Sequence, residues 1–473
     1  MKKMVRKSRS TDLEPTVGRR SMIERSGTLD VREAVAGAGR ERGDLGPLSV
    51  ASFAFGSFGT GVFSTVPSVL LLFYCTEIVG LPAAWATAIV FAPKAWAILW
   101  DPFVGAWSDR THSRWGRRRP FIAAGAIGVA LAIMALFHPP PGAGATTAVW
   151  IGLAYFALAT TYSLFAVPYT ALPAEIGRDA GARSRLISAR MALLMVGILA
   201  GAAVAPMLVE AFGGGRPGYG TMSLLIGAAA GLAMLAPLMM LGPHDPARPA
   251  TTAKARPSDP RRLPLGDRPL RLLTLAFLIL LTAIGAVSAA GPYLIVGALG
   301  RSQADVGIAL GASILTTAFT VPVWGWLGRR FEERRVLCFA AILYAAAQVG
   351  IGAAALAGLP WPLMIVGFAI AGLPMAALQV LPFVAAAHLI RDYVDREGGA
   401  EGVLTGAWTA TEKLGLACGP AITGLAIGAT RGGHGSIPLF LMIAPTVLAL
   451  LALIPLVLSM WTSRHAGAAP HSS

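Results

Sequence analysis

The chain has 473 residues, 55% of them hydrophobic and only 13% charged, whereas an ordinary soluble domain is about a quarter charged. So many aliphatic side chains exceed the need of one water-soluble core, and 55 glycines allow the close helix approach found in lipid; this excludes a soluble enzyme and leaves an all-α membrane protein. The net charge of +15 invites a nucleic-acid partner, an inference that the placement of the charges removes.

Residues 1–46 are polar and hold eleven Lys and Arg, with no apolar stretch leading to a small-residue cleavage site. They read as a disordered cytoplasmic tail rather than a signal peptide, with a lipid- or partner-binding arm as the alternative. Apolar runs of the ~20 residues needed to cross a bilayer follow. They lie at 48–75, 82–107, 120–137, 148–173, 187–211 and 221–241, and again at 270–294, 304–327, 335–357, 362–388, 403–428 and 437–461. Twelve spans in two halves are therefore expected: one six-helix bundle over 47–241, a second over 270–461, and a tail at 462–473. Between the bundles, 242–269 carries Pro243, Pro246, Pro249, Pro257, Pro260 and Pro264 with six basic residues, and reads as a cytoplasmic linker.

The short connections set the orientation. Arg110, Arg114, Arg117, Arg118 and Arg119 follow the second span, Arg178, Arg183 and Arg185 the fourth, and Arg329, Arg330, Arg334 and Arg335 the eighth. The alternate connections hold one each at Arg216, Arg301 and Arg431, or none. This alternation places both termini in the cytoplasm, accounts for the charge without nucleic acid, and suits a monomer in a bacterial inner membrane. Cys75, Cys338 and Cys418 are scattered without ligand spacing, so neither a disulfide framework nor a metal site is indicated, and no cofactor is expected.

The sharpest motif runs from Asp101 through Gly105, Asp109 and Arg110 to Phe121, with five arginines in its second half. Its Asp109 stands where a helix ends, and the arginines can pair with acids across that face, closing one conformation of a rocking bundle and releasing another. The simpler reading is a topology anchor. Gly105 is expected to let a neighbouring helix approach. A weaker echo, Pro322 to Arg335, occupies the matching place in the second half, as an internal repeat of six spans requires.

The stretch SDRTHSRWGRRRPF, Ser108 to Phe121, resembles the hallmark of the glycoside–pentoside–hexuronide:cation symporters and the related sucrose transporters, within the major facilitator superfamily. VPYTALPAE, Val167 to Glu175, is similar to that family's second signature, and Glu401-Gly402 leading to Lys413 resembles a looser third. The likeness covers roughly 48–460. It implies a major facilitator fold of two pseudo-symmetric six-helix bundles, transport by alternating access, and a gating set of Gly105, Asp109, Arg110, Arg114, Arg117, Arg118 and Glu175.

An ionisable residue at mid-bilayer costs about 2.5–3.5 kcal/mol on insertion scales and is a functional candidate by default. Lys94 and Asp101 in span two, Arg190 in span five and Lys413 in span eleven stand out; Glu412 adjoins Lys413 but faces about 100° away round the helix. Lys94 reads equally as structural, and Arg190 can snorkel to the surface. In the melibiose permease branch of the family, charged residues of the sugar and cation sites match Asp101, Arg190 and Lys413. Further acids of that branch fall here at Gly61, Ala97 and Ala166. One carboxylate is a poor cage for sodium, which needs several oxygens, whereas a proton needs one titratable group. The expected solute is thus a small polar organic molecule, a sugar or glycoside or a carboxylated relative, bound by Arg190 and Lys413 with Tyr162 and Trp408 as stacking partners. Coupling is assigned to a proton at Asp101, with His388, where the family commonly has an acid, as a second titrating group. Tyr169, Trp96 and Trp100 are also placed to stack on a sugar, against a packing role. An exporter or lipid or drug carrier on the same fold, and a non-transporting receptor or assembly factor, are the alternatives.

Overall fold

The computed structural model describes residues 46–111, 113–176, 179–240, 267–397, 401–429 and 437–467. The basic tail, nearly all of the 242–269 linker and the end of the C-terminal tail lie outside the described residues. The described residues form long helices and no strand. These are α1 (Pro47–Leu71), α2 (Ala83–Arg110), α3 (Arg119–Leu136), α4 (Ala145–Ile176), α5 (Gly181–Ala211) and α6 (Gly215–Met239). There follow α7 (Arg268–Ala298), α8 (Gln303–Arg330), α9 (Glu333–Leu356), α10 (Trp361–Val394), α11 (Glu401–Ala429) and α12 (Pro438–Thr462). Eleven of these are long and apolar enough to cross a membrane. The twelfth, α11, has the length at 29 residues, but Glu412, Lys413 and a scatter of Thr and Gly lower its apolarity. The expected dozen is therefore eleven spans by hydropathy and one by length.

Local chemistry sets several ends. Ser302 and Asp305 form a reciprocal capping box that starts α8. Asp179 accepts from the Ala182 N–H at 2.6 Å and starts α5 six residues before the apolar run at 187. Arg190 consequently lies two turns inside a helix. The helix of α10 continues to Glu397, so His388 sits within it rather than at its end.

The halves repeat one another in their packing. Helix α2 lies on α4 as α8 lies on α10, α3 on α6 as α9 on α12, and α3 on α4 as α9 on α10. Each first helix also carries a wider π-helical turn at an equivalent place, Tyr74–Ile78 after α1 and Tyr293–Ala298 closing α7. Large side chains such as Leu99, Leu232 and Phe319 are 71–79% exposed on the outer faces, as lipid contact requires. The interior is held by buried tyrosines, among them Tyr169, whose hydroxyl donates to the Phe53 carbonyl at 2.8 Å and pairs with the Ser57 hydroxyl at 2.8 Å.

Two glycines decide how closely α1 and α5 cross. A Cβ on Gly61 would stand 2.5 Å from the Leu194 carbonyl oxygen, and one on Gly197 would stand 2.1 Å from the Phe58 carbonyl oxygen. Backbone meets backbone there, the small-residue packing of helices in lipid. Gly105 does not play the part expected of it: a Cβ there meets only Val167 at 3.6 Å, an ordinary contact, because the Val167 side chain already fills the space between α2 and α4.

Gly197→Val should therefore lower the unfolding temperature sharply, by overpacking of about 1–3 kcal/mol or more, while Gly105→Ala should leave it within error. Thermal unfolding in detergent reads both. Equal stability of the two variants would show that the α1–α5 crossing is looser than described.

Candidate functional site

Three of the charges in the apolar middle of the helices, Lys94, Asp101 and Lys413, are answered across the two halves. Lys413 of α11 forms a close ion pair with Asp101 of α2. Asp101 also accepts from the Ser163 hydroxyl of α4 at 2.6 Å. Both charged side chains are about three-quarters buried, at 28% and 25% exposure. Lys94, seven residues from Asp101, donates to the Leu416 carbonyl of α11 at 2.9 Å and to the Ser68 hydroxyl at 3.4 Å. That carbonyl is open for a simple reason: its helical partner would be the N–H of residue 420, which is Pro420. A proline on one half thus frees an acceptor for a lysine on the other. Because α2 and α11 run antiparallel, the two contacts lie one above the other along the seam.

Arg190 lies over the Tyr169 ring, 5.4 Å from its centroid, and its buried Nε has no hydrogen-bond partner. Tyr162 stacks on Phe63 with centroids 3.6 Å apart, within the electrostatic reach of Arg190, Asp101 and Glu412. Asp101, Lys413, Arg190 and Tyr162 therefore gather in one region. Two expected residues do not join them. Trp408 is 5% exposed and stacked on Phe277, 4.4 Å between centroids, behind the wall rather than on it. His388 is 62% exposed and pairs with Glu333, the first residue of α9, at 3.3 Å. Trp96 donates to Thr160 at 3.1 Å and meets Phe156, so it serves packing of α2 on α4, while Trp100 stacks on Trp96 and Phe103 of its own helix.

A cavity of about 230 Å³ opens between the halves, lined by α1 and α5 on one side and by α7 to α11 on the other. This is just under the ~300–1,000 Å³ usual for small-molecule sites. Its wall includes Ser64, Ser68, Thr317, Gln348, Gln379 and Glu412, but none of Asp101, Arg190 or Lys413. Glu412 is the residue that sequence reasoning passed over. Its neighbour Lys413 turns to the seam with Asp101, and the 100° between adjacent helical positions turns Glu412 to the cavity. The cost of a mid-span carboxylate was the signal that could have found it.

At one end of the bundle the halves touch. Thr76 and Tyr293 hydroxyls pair at 2.6 Å, Glu210 accepts from the Gln303 N–H at 3.1 Å, and Gly307 abuts the Ala203 backbone. At the opposite end the motif arginines bond within their own half. Arg118, 7% exposed, donates to Glu175 at 2.6 Å and to the Pro168 carbonyl at 3.0 Å, and stands 3.6 Å from Asp109. Arg117 also pairs with Glu175, whereas Arg110 and Arg114 are exposed. The first and second expected motifs are thus joined through Glu175.

A family model described as MFS/sugar transport protein matches residues 52–460. The chain belongs to that family. It is a family of integral membrane transporters, not of enzymes. An uncharacterised symporter of Synechocystis is 34% identical over 152 residues, 31% of this chain and 28% of that protein; the match spans less than a third of the relative's length. The isoprimeverose transporter of Lactiplantibacillus pentosus is 22% identical over 387 residues, 81% of this chain and 80% of that one. Among solved structures, a D-xylose-proton symporter superposes with a TM-score of 0.65 at 15% identity, covering 86% of this chain and 96% of the other. That likeness carries the fold, the two-bundle arrangement of the major facilitator superfamily.

For this family member, the Asp101–Lys413 pair gives a direct thermodynamic test. Asp101→Asn and Lys413→Met should each destabilise by on the order of 3 kcal/mol, since each leaves a buried charge without its partner. The double variant should recover more than half of the summed loss. Strict additivity in detergent unfolding would show that the two side chains are not coupled.

Proposed function

We propose that this protein is a secondary active symporter that moves a small polar organic solute, a sugar or glycoside, together with a proton by alternating access. The observation that carries the reading is the Asp101–Lys413 pair, which joins α2 of one half to α11 of the other beside a cavity walled by both. Protonation of Asp101 removes its charge and frees Lys413, so one proton can loosen the seam on which the halves rock. The name of one relative, an isoprimeverose transporter, supports the solute class.

Proton rather than sodium coupling has a steric argument as well. At Gly61 the α5 backbone fills the space that a side chain would take, and Ala97 and Ala166 supply no oxygen. A sodium ion near Asp101 would find too few ligands. Both termini are assigned to the cytoplasm of an inner membrane by the Lys and Arg bias. The touching ends at Thr76, Glu210 and Gly307 then face outward, and the cavity opens inward.

Uptake into vesicles under an imposed pH gradient, compared with an imposed sodium gradient, tests the coupling. The pH gradient should drive uptake and the sodium gradient should not, and Asp101→Asn should uncouple transport from the proton gradient. Sodium-driven uptake that persists in Asp101→Asn would overturn the assignment. Cysteine labelling that places residue 144 inside would overturn the orientation.

The Arg118–Glu175 cluster should act on the conformational equilibrium rather than on the solute. Glu175→Gln is expected to slow transport severalfold while leaving solute affinity near the parent value. Parallel loss of binding in a folded variant would place Glu175 in the binding site instead.

A further inference from the structure

The chemistry of the cavity wall says more about the solute than the fold does. Among the described residues that line it, Glu412 alone is charged. Five of the seven lining hydroxyls have already committed their protons to carbonyls of their own helices. Ser64 donates to Thr60 at 2.9 Å, Thr65 to Gly61 at 2.9 Å, Ser68 to Ser64 at 2.7 Å, Ser288 to Ile284 at 3.0 Å and Thr317 to Ser313 at 2.8 Å. A hydroxyl so engaged offers only lone pairs to anything beside it. Gln348 adds another acceptor: the residue is 1% exposed, and its Oε1 has no hydrogen-bond partner. A buried acceptor left unpaired is costly until a donor arrives. The nearby cations stay off the lining: Lys413 pairs with Asp101, Arg190 lies over the Tyr169 ring, and Lys94 is held at the cavity's edge by the Leu416 carbonyl and the Ser68 hydroxyl.

We infer that Glu412 and the surrounding oxygen acceptors make this cavity a site for a hydrogen-bond-donating, non-anionic solute, a neutral glycoside or an amino sugar, and that Glu412 is the residue that excludes uronates. The inference rests on the transport reading above and sharpens it. Sugar hydroxyls bring donors to these acceptors, and an ammonium group brings both donors and the opposite charge. A carboxylated sugar brings acceptors to acceptors and a negative charge to Glu412.

The field of the cavity can be measured without knowing the solute. In a background lacking Cys75, Cys338 and Cys418, Ser313→Cys places a thiol on the cavity wall. Its reaction rates with a cationic and an anionic methanethiosulfonate reagent are compared in the full-length protein. Any change in the thiol's own reactivity cancels in the ratio. The cationic-to-anionic ratio should fall on the order of tenfold in Glu412→Gln, as a single unscreened charge at cavity distance implies, and should be kept in Glu412→Asp. A ratio unmoved by Glu412→Gln would overturn the inference.

A binding arm uses isoprimeverose, D-glucosamine and D-glucuronate in thermal-shift titrations of the purified protein. The parent should bind one or both of the first two and not glucuronate, and Glu412→Gln should weaken that binding at least tenfold. Preferential binding of glucuronate by the parent would overturn the inference while leaving sugar transport standing. Failure of all three to bind, with no gradient-driven uptake, would instead sink the transport reading, and the reagent ratio would still decide the charge of the cavity.

Discussion

A charge in the hydrocarbon middle of a membrane costs about 2.5–3.5 kcal/mol even on the more lenient scales, and this chain carries Lys94, Asp101, Arg190, Glu412 and Lys413 in the middle of its helices. Much of the arrangement between its halves follows from the need to answer them. Lys413 is answered by Asp101, and Asp101 also by Ser163. Lys94 is answered by a carbonyl that Pro420 has released. Arg190 rests on the face of Tyr169. The answering groups of the two lysines belong to the opposite half, so satisfying the charges and docking the halves are one event. A seam built in this way can also be undone by one proton, which a purely apolar seam cannot.

Among the described residues Glu412 has no such partner across the halves; it looks into the cavity. The division of labour between neighbours 412 and 413 is a matter of helical geometry, since adjacent positions differ by about 100°. One carboxylate–lysine pair closes the seam, and a second carboxylate one position away faces the space that the seam encloses. The serines and threonines around that space face the same constraint on a smaller scale. In a helix packed in lipid, a hydroxyl satisfies its proton most cheaply on the carbonyl one turn earlier, and what remains for the cavity is an acceptor.

Much of this was legible in the sequence. Long apolar runs separated by charged connections could only be membrane helices, because backbone polar groups in lipid must be satisfied within the segment. The arginine motif and its echo marked the repeat, and Asp101, Arg190 and Lys413 stood out because their cost was visible in one dimension. Other residues misled for equally physical reasons. Trp408 has the shape to stack on a sugar, but stacks on Phe277 instead. His388 was read as lying near a span's end, yet its helix runs on to Glu397 and its partner, Glu333, comes from α9. Gly105 looked like a contact glycine, while the contact glycines are Gly61 and Gly197, whose role depends on which backbone arrives opposite them.

The sequence by itself determined the class of molecule, the repeat and the identity of the costly charges, because hydropathy, loop charge and insertion cost are properties of residues taken in order. Only the tertiary structure decided which charge meets which. Pairing Asp101 with Lys413 requires α2 and α11 to lie side by side, and opening Leu416 to Lys94 requires Pro420 to stand at that same crossing. The direction each hydroxyl proton takes was also beyond the one-dimensional pattern, since it depends on rotamers set by packing. That direction makes acceptors of five ordinary serines and threonines in the cavity that Glu412 faces.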